Sequence, residues 1–185
     1  NTRDAIFDAM LRKEVFGTSG PRIRPRLFAG WSLDQGLCER DDMITYAYAN
    51  GVPMGGDLIA SSSIAKPSFL TYAVKDPDGQ KLRALELIKG WVDDEGKLNA
   101  EVIPVVSTDK GADSLCEVYV DNDFEPTQSA YYYLRAIEPA TARWHTYDCA
   151  SIDEGQRPSV CTDGSYPKEI VEMAWTSPIW YQGQD

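Results

Sequence analysis

Side chains able to do chemistry are few in this chain and widely spaced. Its 185 residues hold one histidine, His145, and four cysteines. A hydrolytic metal centre needs several His and carboxylate ligands, because imidazole and carboxylate together hold a divalent ion while leaving a position open for water. One imidazole does not supply that set, so the expectation is a chain with no catalytic residue, no cofactor and no metal site of its own. His145 nevertheless follows Arg143 and Trp144. A cation, an aromatic ring and a titratable group in succession at a strand end make these three the candidate ligand-facing residues, since binding groups concentrate where strands run into loops.

Each remaining motif has a plainer reading. Asp121, Asp123 and Glu125 alternate as calcium ligands do, but the glycine and terminal glutamate of a calcium loop are missing at the required offsets, so a solvated acidic turn is expected. Gly51-Val-Pro-Met-Gly-Gly56 has no helical pattern directly after it and reads as a tight turn rather than an anion cradle. Ser61-Ser-Ser63 has no nucleophile-elbow context, and Asp93-Asp-Glu95 before Gly96 reads as a hairpin tip. Trp31, Trp91, Trp144, Trp175 and Trp180 would stack on sugar rings if exposed together, yet burial is the usual fate of such residues.

The spacings of Cys38, Cys116, Cys149 and Cys161 do not form the paired Cys-x-x-Cys of a zinc site. Cys149 and Cys161 bracket a polar segment containing Gly155 and Pro158 that has little means of ordering itself. A bridge between them would remove about 3 kcal/mol of denatured-state entropy. Cys38 and Cys116 are then the residual pair, with a separation in space that sequence does not reveal. Either bridge implies a periplasmic or extracellular setting.

The elements that must position these residues are mostly strands. Thr2 or Asp4 caps a helix in which Ile6, Phe7, Met10, Leu11 and Val15 recur at helical spacing, and Gly17 is its expected end. Beyond Gly20-Pro21 the pattern turns to alternation. Strands are expected through residues 22–31, with Pro25 at an edge or bulge, and over 68–74, 81–91, 98–107, 115–120, 130–137 and 170–175. Asp76-Pro-Asp-Gly79 supplies turn chemistry between two of them. About seven short strands with one convincing helix predict a mainly β fold, an antiparallel, Ig-like β-sandwich preceded by an N-terminal α-helix.

Composition excludes some partners. With 43% hydrophobic and 25% charged residues the chain is of ordinary globular type, and no apolar run approaches the roughly 20 residues of a membrane helix. A net charge of −11 repels phosphate backbones and anionic lipid. Neither nucleic acid nor a membrane is therefore an expected partner. The chain opens inside an amphipathic pattern rather than a signal peptide, so its start reads as cut.

A set of ordered motifs carries a family resemblance. Arg3-Asp-Ala-Ile-Phe-Asp-Ala-Met, Thr18-Ser-Gly-Pro-Arg-Ile23, Phe28-Ala-Gly-Trp31, Gly51-Val-Pro-Met-Gly-Gly-Asp57, Lys89-Gly-Trp91, Asp123-Phe-Glu-Pro126, the block from Tyr131 to Trp144, and Ala174-Trp-Thr-Ser-Pro-Ile-Trp-Tyr181 occur in sequence. Together they resemble the C-terminal part of a bacterial domain-of-unknown-function family. Its longer members resemble PHP-type, polymerase-and-histidinol-phosphatase-like, metal-dependent hydrolases in their N-terminal portion. Ala140 and Ala142 depart from the family pattern, where prolines are expected.

The resemblance implies an upstream barrel whose His-x-His pair and further His and acidic residues bind a divalent metal. Residues 1–24 would be the terminal helix and strand associated with that barrel, and residues 25–185 the β-sandwich. The expected function is a non-catalytic C-terminal accessory domain of a secreted metal-dependent hydrolase, supporting the barrel and walling its active-site cleft. Self-association through the N-terminal helix is expected where that barrel is absent. The competing expectation is an autonomous carbohydrate- or protein-binding β-sandwich module.

Overall fold

The computed structural model describes residues 2–61, 65–93 and 95–183. Ser62 and Ser63 of the serine run and Asp94 of the hairpin tip lie outside the described residues. Along the chain come α1 (Arg3–Leu11), β1 (Phe16–Thr18), β2 (Arg24–Gly30), a 3-10 turn (Gln35–Glu39), α2 (Met43–Asn50), β3 (Val52–Pro53), β4 (Asp57–Leu58) and β5 (Ser68–Val74). After these follow β6 (Leu82–Val92), β7 (Leu98–Ala112), β8 (Ser114–Val120), β9 (Ala130–Ala142), α3 (Trp144–Ser151), two more 3-10 turns (Glu154–Gln156 and Ser159–Cys161), β10 (Glu169–Thr176) and β11 (Ile179–Tyr181).

The strands form two sheets, and the fold is mainly β with an N-terminal helix, as the alternation predicts. One sheet has the order β3-β2-β5-β8. The other has seven strands with β9 at its centre: β6 and then β7 lie on one side of it, while β10 and β11 share the other side. β10 carries β1 beyond it and β11 carries β4, the last pair being parallel. Alternation puts Leu85, Leu87, Tyr132 and Leu134 on the inward face of the large sheet, opposite Leu27, Ala29, Phe69 and Ala73 of the small one. The Phe69 and Tyr132 rings meet across the gap at 4.4 Å. Burying each such side chain stabilises the sandwich by about 1.5–3 kcal/mol.

β5 and the Leu27–Gly30 half of β2 are covered on both faces. Phe28 and Leu70 point away from the sandwich core into a second cluster with Leu33, Leu37, Ala47 and Val118, formed by the first 3-10 turn and α2 folding over the outer face. The Cys38–Cys116 bridge, with Cα atoms 5.8 Å apart, fastens that cover to β8. Pro25 sits beyond the short β3, which pairs only with Phe28 and Ala29, so its missing N–H meets no β3 neighbour.

Two local outcomes differ from the sequence expectation. α1 stops at Leu11 rather than running to Gly17, because Lys13 adopts a left-handed φ of 59°; Gly17 instead pairs with Trp175 of β10. Thr2 does cap the helix, its hydroxyl accepting from the Ala5 N–H at 3.2 Å. The Asp76-Pro-Asp-Gly79 turn is present as expected, closed by Gly79 N–H to the Asp76 carbonyl at 3.0 Å, and forms the corner where the chain passes from the small sheet to the large one. There Asp76 accepts from the Arg22 N–H at 2.7 Å and from its Nε at 3.2 Å. The Arg22 guanidinium, with these backbone donors, holds the Asp76 carboxyl far below the usual range. Finally, α2 and α3 are helices in addition to the one helix that the sequence leads one to expect.

The end of α1 rests on the turn between β3 and β4. Gly55 has a φ of 89°, and a Cβ there would lie 2.2 Å from the Lys13 carbonyl oxygen. Only glycine permits both the conformation and the close approach. Tyr48 of α2 hydrogen-bonds Glu14 just beyond α1.

Candidate functional site

Arg143, Trp144 and His145 are brought to one place by the end of β9. The strand keeps its pairing with β10 through Ala140 and Ala142, where the expected prolines would lack a donor N–H. Arg143 then occupies the N-cap position of α3 in an extended conformation. Its N–H donates to the Lys168 carbonyl at 2.9 Å, and the Thr146 hydroxyl donates to the same oxygen at 2.7 Å. The start of α3 is thereby tied to the chain entering β10.

No residue of α3 is buried, so packing does little to hold the helix. The Cys149–Cys161 bridge, Cα to Cα 5.6 Å, joins it to the last 3-10 turn and gives the polar segment between them a fixed path. Arg157 adds a hydrogen bond from Nε to the Ile152 carbonyl at 3.0 Å. Beside this loop lies an open concavity of about 590 Å³ lined by Arg143, Trp144, His145, Asp148, Ile152 and Tyr166 together with both cysteines of the bridge. His145 stands edge-on to Trp144, ring centroids 5.7 Å apart, and 6.4 Å from Tyr166. Trp144 is 76% exposed. A rim of three aromatic or imidazole rings with one guanidinium suits binding of a flat or anionic group.

Two other expectations are corrected by the fold: the acidic turn is not solvated at Asp121, and none of the five tryptophans is fully buried, Trp144 and Trp180 being exposed. Asp121 is buried and committed: it accepts from Lys89 Nζ at 2.7 Å, the Tyr132 hydroxyl at 2.7 Å and the Asp123 N–H at 3.0 Å. Lys89 Nζ also donates to the Asp123 carbonyl at 3.1 Å and lies 5.8 Å from the Trp91 and Tyr132 ring centres, a cation–π arrangement. Burial and the neighbouring Asp121 carboxylate push the Tyr132 phenol far up. This cluster pins the β8–β9 connection onto the large sheet. Sequence reading passed over it, although Leu85, Leu87, Lys89 and Trp91 share one strand parity, and a lysine on an inward parity needs a buried partner.

The Gly51–Gly56 amides serve the turn, with Gly55 N–H bonding the Pro178 carbonyl at 3.0 Å and Gly56 N–H bonding that of Pro53 at 3.1 Å. The hairpin tip is as expected, closed by Gly96 N–H to the Asp93 carbonyl at 2.9 Å. Trp31 is a packing residue, its indole N–H bonding the Ile59 carbonyl at 2.9 Å and its ring meeting Phe124 and Tyr181. Among the described residues no group of three or more His, Cys, Asp or Glu is placed to hold a metal ion, and no helix is long and apolar enough to cross a membrane.

Fold and site together define a two-sheet β-sandwich with a disulfide-stapled helical appendage. Over residues 1–110 and 104–183 the sequence matches the family described as protein of unknown function, DUF3604. The chain belongs to that family. No match is found among curated proteins or among solved structures.

Proposed function

We propose that this chain is the non-catalytic C-terminal accessory domain of a secreted metal-dependent hydrolase of PHP type, supporting the catalytic barrel and walling its cleft. The observation that carries this reading is the bare apolar face of α1. Ile6, Phe7, Met10 and Leu11 are 55–65% exposed, and Val15 and Phe16 extend the stripe. Short isolated helices are marginal in water and owe their stability to packing of an apolar face. A barrel seated on α1 supplies that packing, and contiguous exposed apolar surface of this kind marks an interaction site. The divalent metal and its activated water belong to the barrel. Arg143, Trp144, His145 and the Cys149–Cys161 loop then form a wall of the cleft. Two disulfides suit a periplasmic or extracellular compartment.

The test compares this chain with a longer polypeptide carrying the barrel. Elemental analysis is combined with assays on phosphoester, ester and amide substrates. The expected result is metal and turnover in the longer protein only. Stoichiometric zinc or manganese with turnover in residues 1–185 alone would overturn the proposal.

A further inference from the structure

On the outer face of the seven-stranded sheet, five strands align one residue each. Register sets Ala100 of β7 beside Gly90 of β6, Gly90 beside Tyr131 of β9, Tyr131 beside Trp180 of β11, and Trp180 beside Asp57 of β4. Directly opposed residues share a face, and the next residues along, Tyr132, Tyr181 and Leu58, are buried on the other side. Four interstrand steps of about 4.8 Å carry the row across roughly 19 Å. Its composition is two small residues, two aromatics and a carboxylate.

The aromatics are fixed rather than loose. Tyr131 lies over Gly90, where a Cβ would come within 2.2 Å of its ring. Tyr131 meets Trp180 at 5.3 Å and stacks with Tyr133 at 6.4 Å and 11°. β11 is pinned by Trp180 N–H to the Gly56 carbonyl at 3.1 Å and by the Tyr181 hydroxyl to that of Pro126 at 2.7 Å. Trp180 remains 45% exposed and forms a ridge between two concavities. One, of about 790 Å³, is lined by Lys13, Asp57, Ser129 and Gln182; the other, of about 400 Å³, by Val92, Leu98 and Ala100.

We infer that this row binds a neutral saccharide, with pyranose C–H faces on the Trp180 and Tyr131 rings and hydroxyls donating to the Asp57 carboxylate. Rigid ring faces with a polar acceptor in the same row match the two surfaces of a sugar, and little ordering is left to oppose binding. The net charge of −11 and Asp57 itself disfavour acidic glycans. A protein laid over the same row would strip water from Asp57, a cost sugar hydroxyls avoid by bonding it. The site is separate from the α3 cavity and adjoins the chain just past α1 only through Lys13.

Calorimetry and tryptophan fluorescence with cellohexaose, mannohexaose, xylohexaose and chitohexaose test the inference on the intact chain. At least one hexaose is expected to bind. Trp180→Ala and Tyr131→Ala should each weaken it about tenfold, the loss of one aromatic contact worth about 1.4 kcal/mol. Trp180→Phe should retain most of the affinity, and Tyr147→Ala, at an exposed aromatic outside both the row and the α3 cavity, should leave it unchanged. Circular dichroism checks that each variant is folded. The inference is overturned if no hexaose binds, if Trp180→Ala binds as the parent does, or if that variant instead abolishes a dimer, which would assign the row to protein contact.

Discussion

Lys89 is the side chain whose loss should be felt most widely. It is 5% exposed, and its partner Asp121 is 1% exposed. Lys89→Met leaves Asp121 buried without its counter-ion, which typically costs about 3–5 kcal/mol. Pairing it with Asp121→Leu removes both charges and should recover part of that loss, the Tyr132 hydroxyl and the Asp123 N–H still losing their acceptor; urea denaturation of the two variants measures the difference. Glu138 makes a contrasting case. It is 2% exposed, its Oε1 has no hydrogen-bond partner among the described residues, and burial, then Glu172 and Asp76, raise its pKa against the opposing influence of Lys75. A folded-state pKa above the unfolded value favours the protonated form in the fold. Its stabilising contribution is therefore full below the ordinary glutamate range and fades as pH rises through the raised value. Glu138→Gln should accordingly melt higher than the parent, by a margin that grows between pH 4 and pH 8. A margin that shrinks over that interval would refute the assignment.

At the scale of elements, the two disulfides should behave differently. Replacing Cys38 and Cys116 with serine opens a loop of separation 78, worth about 4.5 kcal/mol in the chain-entropy account, and should lower the melting temperature of the whole sandwich. Replacing Cys149 and Cys161 frees only α3 and its loop. The expected result is a melting temperature that changes less, with new proteolytic cleavage between residues 150 and 160, read by peptide mapping. β6 was legible through its alternating leucines, and β5 through the Asp76–Gly79 turn that ends it, because both signals act locally. α2 was not, since Met43-Ile-Thr-Tyr-Ala-Tyr is rich in β-branched and aromatic residues, and its helical form depends on covering β2 and β5. α3 carries neither a buried stripe nor a strong propensity, so its sequence offers little to read. Arg143, Trp144 and His145 were visible as a trio of types, but their common cavity depends on the bond to Lys168 and on the distant Cys161. The Trp180 row was hidden for a related reason, because register between β9, β11 and β4 is a long-range property.

For the whole molecule, the exposed α1 stripe sets the behaviour. In isolation the chain should self-associate with rising concentration, seen by light scattering, and deletion of residues 1–16 or polar substitution of Ile6, Phe7, Met10 and Leu11 should abolish this. Those side chains are exposed, so each substitution should move fold stability by no more than about 0.5 kcal/mol. The central claim is that a catalytic barrel covers this face, and photo-crosslinking from position 7 in the longer polypeptide tests it most directly. A photoreactive phenylalanine replacing Phe7 should crosslink, in mass spectra, to barrel peptides. Crosslinks confined to residues 1–185, or to a second copy of them in a protein that carries an intact barrel, would contradict the account.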